Sequence, residues 1–553
     1  MTGPRPSARP SAGDQRILAS SAVMAAGTVF SRASGFIRAA LLVAALGALL
    51  RADLFTIANT LPNMVYILLA GGVFNAVLVP QLVRRITDDP DGGDAYASRV
   101  ITLSALFLGT VTVLLVAAAP WLLQLYLSGR YLEPDRVAHL ESIVDLTRWC
   151  LPQVFFYGMY VLVGQVLNAR GRFGPMMWAP IANNAIAVAM LVAYLLVWGK
   201  ATDAEQTAAL GTSQEVLLGL GSTLGIVAQF VVLVPYLRAS GFTYRPRFDF
   251  RDPELRKTLS LGVWTVLFVV ATQVAYFVVV KLASGSGAAG DPGYTVYSSS
   301  LLIMMVPHSI VTVSLATAIL PRLSSYAHEG RLADLGSTVG STLRTALALV
   351  LPFAVLLPIL SGDVASAAFA WADRDAAAAF APTLALFGPA LVFFTIHYFM
   401  LRGFYAMEMT RLVFFIQLAV SLTNIAVALA LVRSRPPEDT APMLVVAYLS
   451  SYAVGAAASF VLLRRTVGGL QGAQLVRFLV RMAIVLVAAG AVTWLVAWSL
   501  AGLGDRPSPP VALLRGGLAA LAGGLVLLGG ARLLRIREVT SLVDTVAARL
   551  RRG

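Results

Sequence analysis

The sequence predicts an all-α polytopic membrane protein of about fourteen transmembrane helices: two six-helix lobes in parallel repeat plus two extra C-terminal helices. Three observations predict it. The 553 residues are 58% hydrophobic and 13% charged, with a mean hydropathy of +0.78, more apolar surface than a soluble chain of this length can use. The apolar residues fall into fourteen runs, each long enough for the roughly 20 residues that a helix needs to cross hydrocarbon. Short stretches also recur at an offset of about 240 residues, as in transporters built from parallel repeats.

Residues 1–16 are rich in Pro, Ser, Gly and Arg and read as a disordered cytoplasmic N-terminus. The apolar runs then span 17–48, 52–83, 97–127, 140–168, 175–198 and 214–237, an N-terminal lobe over 17–237. The first run has no convincing cleavage site, so it is expected to be a retained helix. A basic cytoplasmic linker, 238–257, precedes the runs 258–283, 294–321, 334–361, 377–401, 411–433 and 441–463, a C-terminal lobe over 258–463. Residues 464–531 hold two additional helices, at 476–500 and 509–531, and 532–553 form a basic cytoplasmic tail. The repeat rests on Asn75–Leu82 against Leu315–Leu323, and on Asn184–Ala189 against Asn424–Ala428.

The net charge of +14 does not mark a nucleic-acid binder, because the basic residues sit singly or in pairs between apolar runs. With the N-terminus inside, about 27 basic residues fall on the cytoplasmic side and about 8 on the other, the asymmetry of the positive-inside rule. Both termini are therefore expected in the cytoplasm. One cysteine, Cys150, excludes an internal disulfide, and four scattered histidines suggest no metal site. The chain has no Walker A, GxSxG or HExxH pattern, so neither ATP-driven nor metal-dependent chemistry is expected, and no cofactor.

The candidate site is Ser31-Arg32-Ala33-Ser34-Gly35-Phe36-Ile37-Arg38, two arginines inside the first apolar run. A charge at mid-depth costs from about 3 to 10 or more kcal/mol, so it faces a wet cavity or a partner. The alternative is a pair of interfacial arginines that snorkel to headgroups. Residues six apart are offset by about 120° on a straight helix. A bend at Gly35, helped by Ser31 and Ser34, would let Arg32 and Arg38 converge. The planar guanidinium fork suits phosphate oxygens, so the expected ligand is a phosphate-bearing anion.

Asp53, beside Arg51, is either an ion-pair partner that closes this site or an acid on the dipole of its own helix. Leu61-Pro62-Asn63, followed by Gly71-Gly72, marks the second run as a bending gate or a closely packed helix. Asp145 and Arg148, with Glu141 one turn earlier, are spaced for a structural ion pair. Lys281 and Arg344 are expected to snorkel.

The motifs Ser31-Arg32-(x)2-Gly35-Phe36-x-Arg38, Ala52-Asp53, Leu61-Pro62-Asn63, Val79-Pro80, Leu146-Thr147-Arg148-Trp149, Leu167-Asn168-Ala169-Arg170-Gly171-Arg172-Phe173, Ile319-Leu320-Pro321 and Arg402-Gly403-Phe404-Tyr405-Ala406 together resemble the MurJ/MviN lipid II flippase family. That family belongs to the multidrug/oligosaccharidyl-lipid/polysaccharide exporter superfamily. The resemblance implies a bacterial inner-membrane transporter, not an enzyme, that moves the undecaprenyl-pyrophosphate-linked peptidoglycan precursor lipid II outward by alternating access. It implies Arg32 and Arg38 as pyrophosphate-binding residues, Asp53 as their acidic partner, and membrane lipids and cell-wall synthesis proteins as partners; the bend and kink positions read above, Gly35, Ser34, Pro62 and Asn63, complete the expected ion-pair and gating set. Where relatives carry further cavity arginines this chain aligns Tyr66 and Leu302, which makes the expected cavity less cationic. Another polyprenyl-linked glycan or amphiphile as cargo, or a transport-inactive cell-wall scaffold, are the alternatives.

Overall fold

The structure, a computed structural model, describes residues 27, 30, 31, 33–68, 93–248, 263–371, 374–504, 506–541 and 544. Arg32, Gly71-Gly72, the Asn75–Leu82 stretch, Arg84 and Arg85, residues 1–16, part of the 238–257 linker and most of the 532–553 tail lie outside the described residues.

Among the described residues, fourteen helices follow the predicted runs in order. They are α1 (Ala33–Leu46), α2 (Leu50–Tyr66), and α3 (Asp94–Tyr126), α4 (Pro134–Ala169), α5 (Gly174–Trp198), α6 (Thr212–Ala239) and α7 (Val263–Ala289). Then come α8 (Tyr294–His328), α9 (Leu332–Phe369), α10 (Arg374–Ala406), α11 (Thr410–Arg433), α12 (Pro437–Thr466), α13 (Gly472–Leu503) and α14 (Pro509–Leu533). Twelve of them, α3 to α14, are long and apolar enough to cross a membrane within the described residues. The protein is an all-helical, multi-pass membrane protein.

The packing pairs recur six helices apart. Helix α4 packs on α2, α3 and α6, and α10 packs on α8, α9 and α12; α5 lies on α6 as α11 lies on α12. Helices α13 and α14 pack on each other and on α9. Their outer faces carry bare apolar side chains such as Val487, Leu521 and Leu525. In water such a band would be costly; in hydrocarbon it is ordinary surface.

Two local features shape the molecule near the site. Gly47 turns α1 into α2 with φ +82°, and a Cβ there would lie 2.0 Å from Gln206 Oε1. Only glycine meets both demands. In α8, the stretch His308–Val313 winds as a π-turn directly after Pro307. Proline supplies no N–H to the helix ladder, and such interruptions are common causes of local rewinding.

Candidate functional site at the α2–α8 seam

Of the predicted site residues, Asp53 stands at the end of the bundle where α1 turns into α2. Asp53 opens α2 and is fully buried. Its two oxygens accept backbone N–H groups from the start of α8: Oδ1 from Thr295 at 2.7 Å and Oδ2 from Tyr294 at 2.9 Å. The first turn of a helix presents unsatisfied amides and a partial positive charge, so a carboxylate there is doubly favoured. Asp53 therefore meets the dipole of α8 while standing in the first turn of its own helix. Arg51, the neighbour that suggested an ion pair, turns away from it. Its guanidinium donates to the Ala209 carbonyl at 3.2 Å and lies 3.8 Å from Glu205. The backbone amide and hydroxyl of Thr202 hold the exposed Glu205 carboxyl below its usual range.

Glycines make this approach possible. A Cβ on Gly287 would lie 2.4 Å from Asp53 Oδ2, and one on Gly293 would lie 2.3 Å from it. A hydroxyl network extends the contact down α2. Thr295 Oγ1 donates to Thr56 Oγ1 at 3.1 Å, Thr60 and Tyr294 share a hydrogen bond of 3.1 Å, and Tyr294 and Tyr276 share one of 2.6 Å. The α3–α4 turn joins at the same end. The Ser128 N–H donates to Ser284 Oγ, Arg130 to the Gly285 carbonyl, and Lys281 to the Leu125 carbonyl. Lys281 is thus a cross-link between α7 and α3 and not a free snorkelling cation. Hydrogen bonds joining the first six helices to the next six cluster at this end.

Below the seam lies a cavity of about 260 Å³. Asn63 of α2 faces Gln273 and Tyr276 of α7, Gln417 and Asn424 of α11 and Tyr452 of α12 across it. Among the described residues the lining offers amides and hydroxyls but no ionisable acid or base other than tyrosine, a surface suited to neutral polar groups. Pro62, one residue earlier, is buried, and α2 continues past it to Tyr66. Having no N–H, Pro62 leaves the Ala58 carbonyl without its usual partner in the helix.

Helix α1 continues through Gly35. The nearest side-chain atom to a Cβ placed there is the Asn184 amide nitrogen, 3.8 Å away. That amide nitrogen donates to the Ser31 carbonyl at 3.0 Å and to Ser34 Oγ at 2.8 Å, while Ser34 Oγ donates to the Ser31 carbonyl at 3.0 Å. Asn184, marked in the sequence only as a repeat signature with Asn424, is therefore the residue that fixes α1 against α5. Arg38 is half-buried and has no carboxylate partner among the described residues. Its charge reaches Cys150 and Tyr157 on α4. Tyr66 stacks on Tyr157, with ring centroids 4.6 Å apart. An aromatic pair thus stands where a further arginine was expected from relatives. Leu302 is a half-buried residue of α8. Asp145 and Arg148 pair at 3.1 Å on an exposed face.

A family model described as lipid II flippase MurJ matches residues 42–504. The chain belongs to the MurJ family. Family membership makes it a membrane transporter and not an enzyme. Among curated proteins, it is 25% identical over 400 residues to a probable lipid II flippase MurJ of Haemophilus influenzae, covering 69% of this chain and 75% of the relative. It is 26% identical over 437 residues to one from Rhizobium meliloti, 77% of each chain. It is also 26% identical over 397 residues to the lipid II flippase MurJ of Burkholderia cenocepacia, 69% of this chain and 72% of that one. Among solved structures, the fold resembles a lipid II flippase MurJ in an inward closed conformation, with a TM-score of 0.67 at 16% identity over 91% of this chain and 97% of that one. An inward-facing multidrug transporter of the MATE family and MOP superfamily gives 0.62 at 17% identity, over 81% and 96%. At such identities the likeness establishes the fold.

Proposed function

We propose that this MurJ-family protein flips lipid II, the undecaprenyl-pyrophosphate-linked peptidoglycan precursor, from the inner to the outer leaflet of the bacterial cytoplasmic membrane. The observation that carries the reading is Arg38, a half-buried cation on α1 without a carboxylate partner among the described residues. A guanidinium at membrane depth with no carboxylate beside it among the described residues is poised for an anion brought from outside, and its fork fits a pyrophosphate. Arg32 and Arg38 bind that group in this proposal, and the polar cavity beside Asn63 takes neutral parts of the headgroup. Asp53, Gly35, Ser34 and Pro62 act in the closing and bending of α1 and α2.

The first six helices and the next six act as two lobes that rock about the cavity. With both termini cytoplasmic, as the basic connections favour, the α2–α8 seam lies on the outer side. Asp53 then latches the outer gate while the cavity loads from within. Rocking outward must strip Asp53 from the two α8 amides and return all three groups to water.

The test is depletion of the native protein and rescue with Arg38→Ala, and separately with Arg32→Ala. Both variants should reach the membrane and fail to restore lipid II exposure at the outer leaflet. Full exposure with both, at normal expression levels, would remove the proposed anion site.

A further inference from the structure

A cationic cavity lies away from the seam, where α9, the start of α13 and the chain just beyond α14 meet. It has a volume of about 560 Å³ and is lined by Arg344, Arg477, Arg481, Arg535, Arg537 and Glu538. Five guanidiniums thus surround one carboxylate. That carboxylate is already engaged, because Glu538 Oε1 accepts from Arg344 Nε at 3.1 Å. Arg344 is 8% exposed, and its buried Nη1 has no hydrogen-bond partner among the described residues. A buried donor left unpaired on a charged group is costly unless something supplies the acceptor. The sequence pattern had suggested a snorkelling Arg344; instead it is folded inward.

Arg477 and Arg481 are one helical turn apart and share a face of α13. Arg535 takes a left-handed conformation, φ 52°, unusual for a residue with a side chain. That turn lets the Ile536 N–H donate to the Ala531 carbonyl at 2.8 Å and drives Ile536 into the core at 2% exposure. Arg535 and Arg537 then flank a buried anchor. The cavity also opens beside apolar surface: Val476 and Val480, next to the two α13 arginines, are 61% and 56% exposed.

We propose that this cavity is a phosphate-binding site distinct from the transport cavity, and that it seats the phosphate headgroup of an anionic membrane lipid whose acyl chains run along α13. The bound phosphate supplies the acceptor that Arg344 Nη1 lacks and ties the α13–α14 pair to α9. Basic pockets between transmembrane helices are suited to such headgroups.

The full chain in phosphatidylcholine nanodiscs, with and without phosphatidylglycerol, tests this by native mass spectrometry of retained lipid and by thermal melting. The wild type should retain phosphatidylglycerol and melt at a higher temperature in its presence. The double variant Arg477→Gln, Arg481→Gln, at two exposed positions, should bind it about thirtyfold more weakly. In phosphatidylcholine alone the variant should melt as the wild type does. A parallel arm adds inorganic phosphate to phosphatidylcholine nanodiscs. Protection by phosphate that the double variant loses supports the site and gives the source as a soluble phosphate. Equal retention and equal melting shifts in the wild type and the double variant, in both arms, would overturn the proposal.

Discussion

Replacing Asp53 by asparagine should loosen the α2–α8 seam. In the structure each carboxylate oxygen accepts one backbone amide, at 2.7 and 2.9 Å. Hydrogen bonds to a charged group contribute about 1.5–3 kcal/mol each. Asparagine keeps one acceptor and turns the other position into an N–H donor that faces an α8 amide. One bond is lost, so the closed state should weaken by about 1.5–3 kcal/mol, a shift of roughly tenfold to a hundredfold toward the open state. The assay is a spin-label distance across the seam, with Glu133→Cys and Glu438→Cys, both exposed, in a Cys150→Ala background. The Asp53→Asn protein should show a longer-distance population that grows at the expense of the wild-type peak. Superimposable distance distributions would show that Asp53 does not hold this end together.

The same seam can be opened from the other side. Gly293→Ala puts a methyl group where Asp53 Oδ2 lies 2.3 Å away, and the same label pair should report an opening like that of Asp53→Asn. Asn184→Ala removes two hydrogen bonds to α1 and should cost about 1–3 kcal/mol, visible as earlier thermal unfolding of the purified protein. Tyr66→Arg should retain transport in the rescue assay. A guanidinium can stack on Tyr157 as the present ring does, with a contribution of about 0.5–1 kcal/mol, and it adds positive charge near Arg38.

The helices were legible because long apolar runs are a local property, and each run contains most of what determines its own secondary structure. The run 175–198 became Gly174–Trp198, and 411–433 became Thr410–Arg433. The partners were not legible in the same way. Asp53 stood out as a costly acid near a costly arginine, but its ligands are backbone amides 241 and 242 residues away, and an amide leaves no mark in a sequence. Arg344 looked like a snorkeller for the same reason, since Glu538 lies 194 residues further on. Asn184 was visible as a repeat marker, yet nothing local showed that its amide would meet the Ser31 turn. The tyrosine at position 66 stood out only against relatives, and its stacking on Tyr157 required the packed α2–α4 pair.

The Asp53 contact has a consequence for how this gate can vary. A latch between two charged side chains can be broken or reversed by changing either one, and a loss on one side can be repaired by a swap on the other. Here the receiving side is main chain, and nearly every residue type at positions 294 and 295 offers the same N–H. Substitutions in α8 can therefore drift without touching the donor, apart from proline at those positions; outside α8 the approach is sensitive to bulk at Gly287 of α7 and at Gly293 just before α8. Conversely, no charge swap in α8 can compensate a lost Asp53. A screen for second-site revertants of Asp53→Asn should return changes that strengthen other contacts across the seam, such as those of Arg130 or Lys281, and none that place a new cation at 294 or 295.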